Sequence, residues 1–287
     1  MAVEAWTGAS LRASASAPFG AWDAALAGVD DAVPAALVSI ARTEVAAALG
    51  GTERAVRSEH ERAARALVDQ FVVDVGSITE SQRTAAFAAL GDQAFGFVQV
   101  VYVCDFDARL RAAWRQLFGT EAAPSPQVVG ADLWSALEEF MRTVARMQSV
   151  DPLTSELVRL RGARAHRCRL CQSLRSTRAA NDGADESVYD QIDRFESSAL
   201  APRHKTALRL VDAVLWQPMI FPSDLTTQVF EHFTANEIVE LVFDIARNAA
   251  NKIAVAFAAD APHVTEGIEL YDIDERGEVT YGLPSAS

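Results

Sequence analysis

Apolar residues recur at three- and four-residue spacing along nearly the whole chain, which is the pattern of helices that bury one face. The pattern predicts an all-α protein, with a break at residues 120–130. The predicted helices cover residues 35–49, 53–75, 80–90, 93–117, 132–148, 154–165, 168–180, 186–195, 203–216, 223–233 and 235–259, with Asp132 as the N-cap of the fifth.

The tail of the chain has a different pattern. Residues 268–273 and 278–281 read as short strands, and they flank the turn sequence Asp274-Glu275-Arg276-Gly277. We therefore predict a short C-terminal β-hairpin on an otherwise helical protein.

A weak internal repeat links the two halves of the chain. Shifting the sequence by 143 positions aligns residues 62–114 with residues 205–257 without a gap, and the identities include Phe87 with Phe230. Both segments have the order long helix, short helix, long helix. The pattern indicates two similar helical halves in tandem, of which only the second contains a cysteine pair. The first half, residues 1–125, is predicted to be a degenerate copy of the second, residues 126–287.

Composition excludes several classes of protein. The chain has 287 residues, half of them hydrophobic, and a formal net charge of −13. Nucleic-acid binding needs a basic surface, so we predict no nucleic-acid partner. No apolar run approaches the roughly 18 residues of a membrane span, and residues 1–20 lack the pattern of a secretory signal. Three cysteines do not make a disulfide scaffold in a chain of this length, so we expect a cytoplasmic protein without a membrane partner.

Cys168 and Cys171 form a C-x-x-C motif within the most basic segment of this acidic chain. Residues 159–178 contain seven arginines, His166 and no carboxylate. Cationic surroundings favour the thiolate, which is the reactive form of cysteine. Dithiol redox chemistry is therefore the first hypothesis. The alternatives are buried packing cysteines, or a zinc site that would lack its remaining ligands, and we predict neither a metal nor a bound cofactor.

Glu156 precedes Cys168 by twelve residues, which would separate them by roughly 18 Å along a straight helix. Residues 162–167 allow a turn, after which Cys168 would open a new helix whose N-terminal N–H groups lower a thiol pKa. On that helix Cys171 and Arg175 would share a face at i, i+4, with the guanidinium close to the sulfur.

These motifs resemble the alkylhydroperoxidase D and carboxymuconolactone decarboxylase superfamily over about residues 152–259. The redox branch of that superfamily has Glu, eleven residues, Cys, two residues, Cys, three residues and His. Glu156, Cys168 and Cys171 fall on this pattern without a gap, and a downstream helix with an Asn-x-x-Asn motif also matches. Arg175 stands where the superfamily has its histidine.

The resemblance implies an alkylhydroperoxidase D-like helical fold and a peroxidase that works through thiol–disulfide exchange. It makes Cys171 the attacking thiolate, Cys168 the resolving thiol and Glu156 the base. Arg175 cannot relay protons near neutral pH but can stabilise a thiolate, so His166 is the candidate substitute for the missing histidine. The resemblance also implies a small peroxide or another small substrate, a lipoylated protein or a small thiol as reductant, and a homo-oligomer, either a trimer or a dimer.

The sequence is compatible with two other functions. The superfamily also contains lactone decarboxylases, in which the arginines would hold substrate carboxylates and the dithiol would be unnecessary. A non-catalytic assembly protein would account for the missing histidine and for a first half without the cysteine pair.

The remaining polar residues have plainer interpretations. Most of the seven arginines are interpreted as a solvated face that pairs with acidic neighbours. Asn248 and Asn251 are interpreted as residues that hold helices together rather than touch substrate. Cys104 is interpreted as a core residue.

Overall fold

The computed structural model of the chain describes residues 6–50, 59–122, 124–125 and 132–283. Within these ranges the protein is mostly helical, with one small sheet that includes the C-terminal segment. The α-helices are α1 Gly8–Ser14, α2 Ser16–Ala32, α3 Ala35–Gly50, α4 Glu59–Asp74, α5 Glu80–Leu90, α6 Ala94–Phe118, α7 Leu133–Ala145, α8 Pro152–Ala165, α9 Arg169–Ser173, α10 Thr177–Asn181, α11 Glu186–Tyr189, α12 Pro202–Trp216, α13 Leu225–His232, α14 Ala235–Ala249 and α15 Asn251–Ala256. Short 3₁₀ segments are Val75–Ser77, Gly91–Gln93 and Ile192–Ser197, and the strands are β1 Leu174–Ser176, β2 Glu269–Ile273 and β3 Val279–Leu283.

Most of the predicted helices are confirmed where the structure describes them. α5 has its predicted bounds because the Thr79 side chain accepts the Gln82 N–H while the Gln82 side chain accepts the Thr79 N–H. Asp132 is the N-cap of α7, as predicted, and its carboxylate accepts the Ser135 N–H at 2.9 Å. These local hydrogen bonds fix the helix ends that the sequence indicates.

The sequence pattern predicts its first helix at residue 35, yet α1 and α2 precede it. α2 packs along α7, and the Trp22 ring lies 4.8 Å from the Phe140 ring. Because this segment is rich in alanine, its sequence pattern does not distinguish an apolar face. Burial of Phe19 and Trp22 supplies the stabilisation, since each large aromatic side chain removes much apolar surface from water.

α6 runs through the core and links the two predicted halves. Most of its side chains are buried, among them Phe97, Tyr102 and Phe106. The Tyr102 hydroxyl donates to the Ala246 carbonyl of α14 at 2.7 Å. By length and composition alone the stretch Glu80–Phe118 would allow a membrane crossing, and half of its most apolar window is buried inside the protein.

The prediction of one continuous helix over residues 168–180 is wrong. α9 is followed directly by β1 and then by α10. β1 pairs in parallel with β2, with Leu174 opposite Glu269 and Ser176 opposite Tyr271. Pairing with a segment far along the chain outweighs the local helical spacing, which the sequence pattern alone cannot reveal.

The predicted C-terminal hairpin is confirmed, and β1 extends it into a sheet of order β1-β2-β3. Gly277 in its turn has a φ of 83°, and a side chain there would collide with the Arg142 carbonyl of α7. The hairpin therefore packs closely on the helical body. Two other predicted helices are divided: residues 186–195 form α11 and a 3₁₀ segment, and residues 235–259 form α14 and α15 with a break at Ala250.

The order of helix lengths agrees with the proposed repeat, although the repeat itself stays a prediction. α4, α5 and α6 have 16, 11 and 25 residues, and α12, α13 and α14 have 15, 8 and 15. The predicted boundary after residue 125 adjoins residues 126–131, which lie outside the described part of the chain.

Candidate functional site

The turn that the sequence predicts after α8 is present, and it places the C-x-x-C motif at the start of a new helix. Arg167 has a left-handed backbone with a φ of 54°, and Cys168 is the N-cap of α9. The Cys168 sulfur accepts the Cys171 N–H at 3.3 Å, and the two sulfurs lie 2.7 Å apart. The thiols are therefore within reach of each other for disulfide formation.

The two thiols differ in proton affinity. The hydrogen bond from Cys168 lowers the pKa of Cys171 to about 7 against the opposing effect of burial, and the Asn251 amide and the Arg159 charge lower it further. The same bond, together with burial, raises the pKa of Cys168 well above its ordinary value. Cys171 is thus the thiol that ionises near neutral pH, while Cys168 keeps its proton.

His166 reaches the sulfur through an asparagine rather than directly. The Asn251 amide donates to Cys171 Sγ at 3.4 Å, and Asn251 Oδ1 lies 3.2 Å from His166 Nδ1. Because a carbonyl oxygen only accepts, Nδ1 carries the proton in this pair. Burial, reinforced by the charges of Lys252 and Arg109, holds the pKa of His166 well below its ordinary value, so the imidazole is neutral.

Glu156 is buried, and its hydrogen bonds go to groups other than the sulfurs. Its carboxylate accepts two bonds of 2.7 Å from Arg159, one of 3.1 Å from the Ser176 N–H and one of 2.8 Å from the Tyr271 hydroxyl. Arg159 also donates to the Cys171 carbonyl at 2.7 Å. Glu156 therefore holds the thiol segment through Arg159, and its role as a base stays a prediction.

Arg175 does not take the position that the sequence suggested. It lies in β1, so the i, i+4 relation to Cys171 does not apply, and the expectation that its guanidinium lies beside the sulfur is wrong. The guanidinium instead forms a bidentate ion pair with Glu186 at 2.7 and 2.8 Å and lies over the Tyr189 ring. Arg175 thus fixes β1 to α11.

Cys171 opens onto a cavity of about 480 Å³, which we call the thiol cavity. Its size falls within the range of roughly 300–1,000 Å³ that is typical of small-molecule sites. The wall is formed by Trp134, Leu137, Glu138, Met141, Arg142, Arg159, Cys171, Leu174, Arg247, Asn248, Ala250, Asn251, Ile253, Tyr271, Gly277, Glu278, Val279 and Tyr281. A second cavity of about 270 Å³ shares four of these residues, Arg159, Arg247, Asn248 and Tyr271.

Sequence reasoning identified the thiol pair but missed much of its surroundings. The interpretation of Asn251 as only a link between helices is incomplete, because its amide donates to Cys171. Arg159 is packed against Glu156 rather than solvated. The i, i+3 spacing of the two residues in the sequence indicates such an ion pair. Tyr271 carried no local signal at all. Cys104 packs against the core as predicted, and burial raises its pKa to about 11.

Fold and site together define a mostly helical protein in which a C-x-x-C pair, with one thiol of lowered pKa, faces a ligand-sized cavity. The chain belongs to the same family as two uncharacterized proteins of Mycobacterium tuberculosis, MT2376 of strain CDC 1551 / Oshkosh and Rv2313c of strain H37Rv. Each is 43% identical to it over 237 residues, which span 78% of this chain and 84% of the relative. The uncharacterized protein YdfG of Bacillus subtilis strain 168 is 27% identical over 119 residues, 40% of this chain and 81% of its own length. No family model and no solved structure matches the chain.

Proposed function

We propose that the protein is a peroxidase-like thiol–disulfide oxidoreductase that uses Cys171 and Cys168. One observation carries the proposal: the two sulfurs lie 2.7 Å apart, with the proton held on Cys168 and Cys171 open to the thiol cavity. A packing role would require neither the difference in proton affinity nor the cavity. The resemblance to the alkylhydroperoxidase D superfamily, with its helical fold and oligomeric assembly, belongs to the same proposal.

The reaction begins with attack by the Cys171 thiolate on the terminal oxygen of a hydroperoxide. The O–O bond breaks, Cys171 becomes a sulfenic acid, and the other oxygen leaves as an alkoxide that takes up a proton to give the alcohol. Cys168 then loses its proton and attacks the sulfenic sulfur, which forms the disulfide and releases water. Two electrons have passed to the peroxide, and an external dithiol returns them by exchange.

The surrounding residues support this reaction although the superfamily histidine is absent. The Asn251 amide stabilises the thiolate, and neutral His166 orients that amide. Arg159 adds positive charge near Cys171 and is itself held by Glu156. Stabilisation of the thiolate by an amide and a fixed cation thus replaces a titrating histidine beside the sulfur.

Three single variants test the proposal. Cys171→Ser should abolish peroxide consumption, and Cys168→Ser should stop at a sulfenic acid that dimedone traps on Cys171, visible by mass spectrometry. Cys104→Ser should behave like the wild type, because burial keeps that thiol protonated. A wild-type protein that forms no disulfide between residues 168 and 171 after peroxide treatment would overturn the proposal.

A lactone decarboxylase is the second candidate, and the arginines on the cavity wall favour it. Arg142, Arg159 and Arg247 all line the thiol cavity; Arg142 and Arg159 are paired with carboxylates of the protein, which leaves Arg247 to hold a substrate carboxylate. The same Cys171→Ser variant separates the two functions. A decarboxylase would keep most of its turnover without the thiol, whereas the oxidoreductase would lose it.

A further inference from the structure

We infer that the peroxide substrate is an organic hydroperoxide with an apolar body and a carboxylate, and that Arg247 binds the carboxylate. The inference rests on the proposed function and adds the substrate class. The thiol cavity has a volume of about 480 Å³, which is far larger than hydrogen peroxide requires. A water molecule, for comparison, occupies about 30 Å³ in the liquid.

Much of the cavity wall is apolar. Trp134, Leu137, Met141, Ile253 and Val279 contribute side chains that gain from contact with a hydrocarbon or aromatic group. Cys171 lies on the same wall, so an apolar substrate that enters the cavity brings its hydroperoxide to the reactive sulfur. These residues favour a substrate with a substantial apolar body over a small polar peroxide.

The charged residues of the wall differ in how far they are neutralised. Arg159 is paired with Glu156, and Arg142 is paired with Glu139 and with Glu278, itself a wall residue. Glu138 also lines the cavity, one helical turn before Arg142 on α7. These arginines therefore already have carboxylates within ion-pair distance.

Arg247 is the exception among these arginines. In the described part of the chain, no carboxylate lies within ion-pair distance of the Arg247 guanidinium. Its Nε donates to the Met141 carbonyl at 3.0 Å, which fixes the side chain, and neither terminal nitrogen has a hydrogen-bond partner among the described residues. Asp244 lies one turn earlier on α14 without forming an ion pair with Arg247, and burial together with the nearby Glu240 raises its pKa to about 7. The fork of a guanidinium matches the two oxygens of a carboxylate.

Asn248 supplies a second polar group at the same place. It follows Arg247 on α14 and lines both cavities, and its amide makes no hydrogen bond within the part of the chain that the structure describes. A fixed cation and an open amide at the junction of the two cavities form a site for a monoanionic group. A carboxylate bound there leaves the rest of the substrate in the thiol cavity with Cys171.

The experiment compares a medium-chain hydroperoxide that ends in a carboxylate with its methyl ester. Stopped-flow measurement of Cys171 oxidation should give a rate constant at least about tenfold higher for the acid, as expected for one hydrogen-bonded charge pair. Arg247→Gln should bring the two rate constants together, and Arg247→Lys should restore part of the preference. Arg146→Gln removes the same charge from an arginine that does not line either cavity, and it should leave the preference intact.

A redox-inert pair of probes separates failure of this inference from failure of the proposed function. The corresponding fatty acid without a peroxide should protect Cys171 from alkylation, and its methyl ester should protect it less, with the difference lost in Arg247→Gln. Equal rates and equal protection for acid and ester would overturn the carboxylate site and leave the peroxidase in place. Protection by the acid with no oxidation by either peroxide would overturn the peroxidase and support the carboxylate site alone.

Discussion

We compare two largely buried carboxylate–arginine pairs, each within a single helix of the described part of the chain, because their surroundings differ. On α6, Asp105 accepts from Arg109 at 2.6 Å and from Lys252 at 2.7 Å. On α8, Glu156 accepts two bonds of 2.7 Å from Arg159. Sequence spacing alone presents both as ordinary helical ion pairs, at i, i+4 and at i, i+3.

The first cluster, which consists of Asp105, Arg109 and Lys252, is closed by further hydrogen bonds. Arg109 donates its remaining hydrogen bonds to the carbonyl oxygens of Val72, Val214 and Leu215. Burial lowers the pKa of Lys252 to about 8 although Asp105 opposes the shift. The second cluster borders the thiol cavity, and Arg159 reaches the Cys171 segment. Of the two, the Glu156–Arg159 pair is the one that also meets open space and a thiol of lowered pKa.

The largest expected effect is on stability, from Asp105→Ala. The substitution leaves two buried cations without their carboxylate, so we expect the free energy of unfolding to fall by about 3–5 kcal/mol. Urea unfolding measures the loss. Asp107→Ala on the same helix, which removes a partly exposed partner of Arg111, should cost no more than about 1 kcal/mol.

The alkylation rate of Cys171 in the folded Asp105→Ala protein should stay near the wild-type value, because the closed cluster does not contact the sulfur. Equal losses of stability for Asp105→Ala and Asp107→Ala would show that the first cluster is not a buried structural element. A large change in Cys171 reactivity would contradict the separation of the two clusters.

Glu156→Gln tests the second cluster, Glu156 with Arg159, which borders the thiol cavity. Loss of the carboxylate leaves the Arg159 charge uncompensated, so the pKa of Cys171 should fall below about 7. Thiolate absorbance against pH measures the shift. Glu186→Gln, which removes the partner of Arg175, should leave the pKa of Cys171 unchanged. The stability loss should be smaller than for Asp105→Ala, because water in the cavity can reach Arg159.

The same variant separates a positioning role from the role of base that the superfamily resemblance implies. At a pH where Cys171 is fully ionised, a positioning Glu156 predicts peroxide oxidation within a few-fold of the wild-type rate. A loss of about a hundredfold under those conditions would assign proton transfer to Glu156.

Some of these features could be predicted from local sequence patterns, and others could not. Local spacing was sufficient for most helices, for the Asp132 cap and for the turn that makes Cys168 an N-cap, since these depend on neighbouring residues. Local spacing did not predict the contacts between segments that are distant in the sequence. The pairing of β1 with β2 redirected Arg175 to Glu186, and the Tyr271 bond to Glu156 joins residues with no local relation.

Asn251→Ala should raise the pKa of Cys171 by about one unit, because the thiolate loses a hydrogen-bond donor. In the wild type the thiolate forms as the pH rises through about 7, so the alkylation rate should climb across that pH and then level off. The variant should show the same curve displaced to higher pH. Asn248→Ala removes an amide that does not bond the sulfur, and an equal displacement there would contradict the assignment.

His166→Leu should have the smallest effect, a rise in the pKa of Cys171 of about half a unit or less, because it acts only by orienting the Asn251 amide. His166→Asn keeps a donor and should restore part of the wild-type value. Combining His166→Leu with Asn251→Ala should shift the pKa no further than Asn251→Ala alone, since the histidine then has no amide to orient. Additive shifts would show instead that His166 affects the sulfur by a route that does not pass through Asn251.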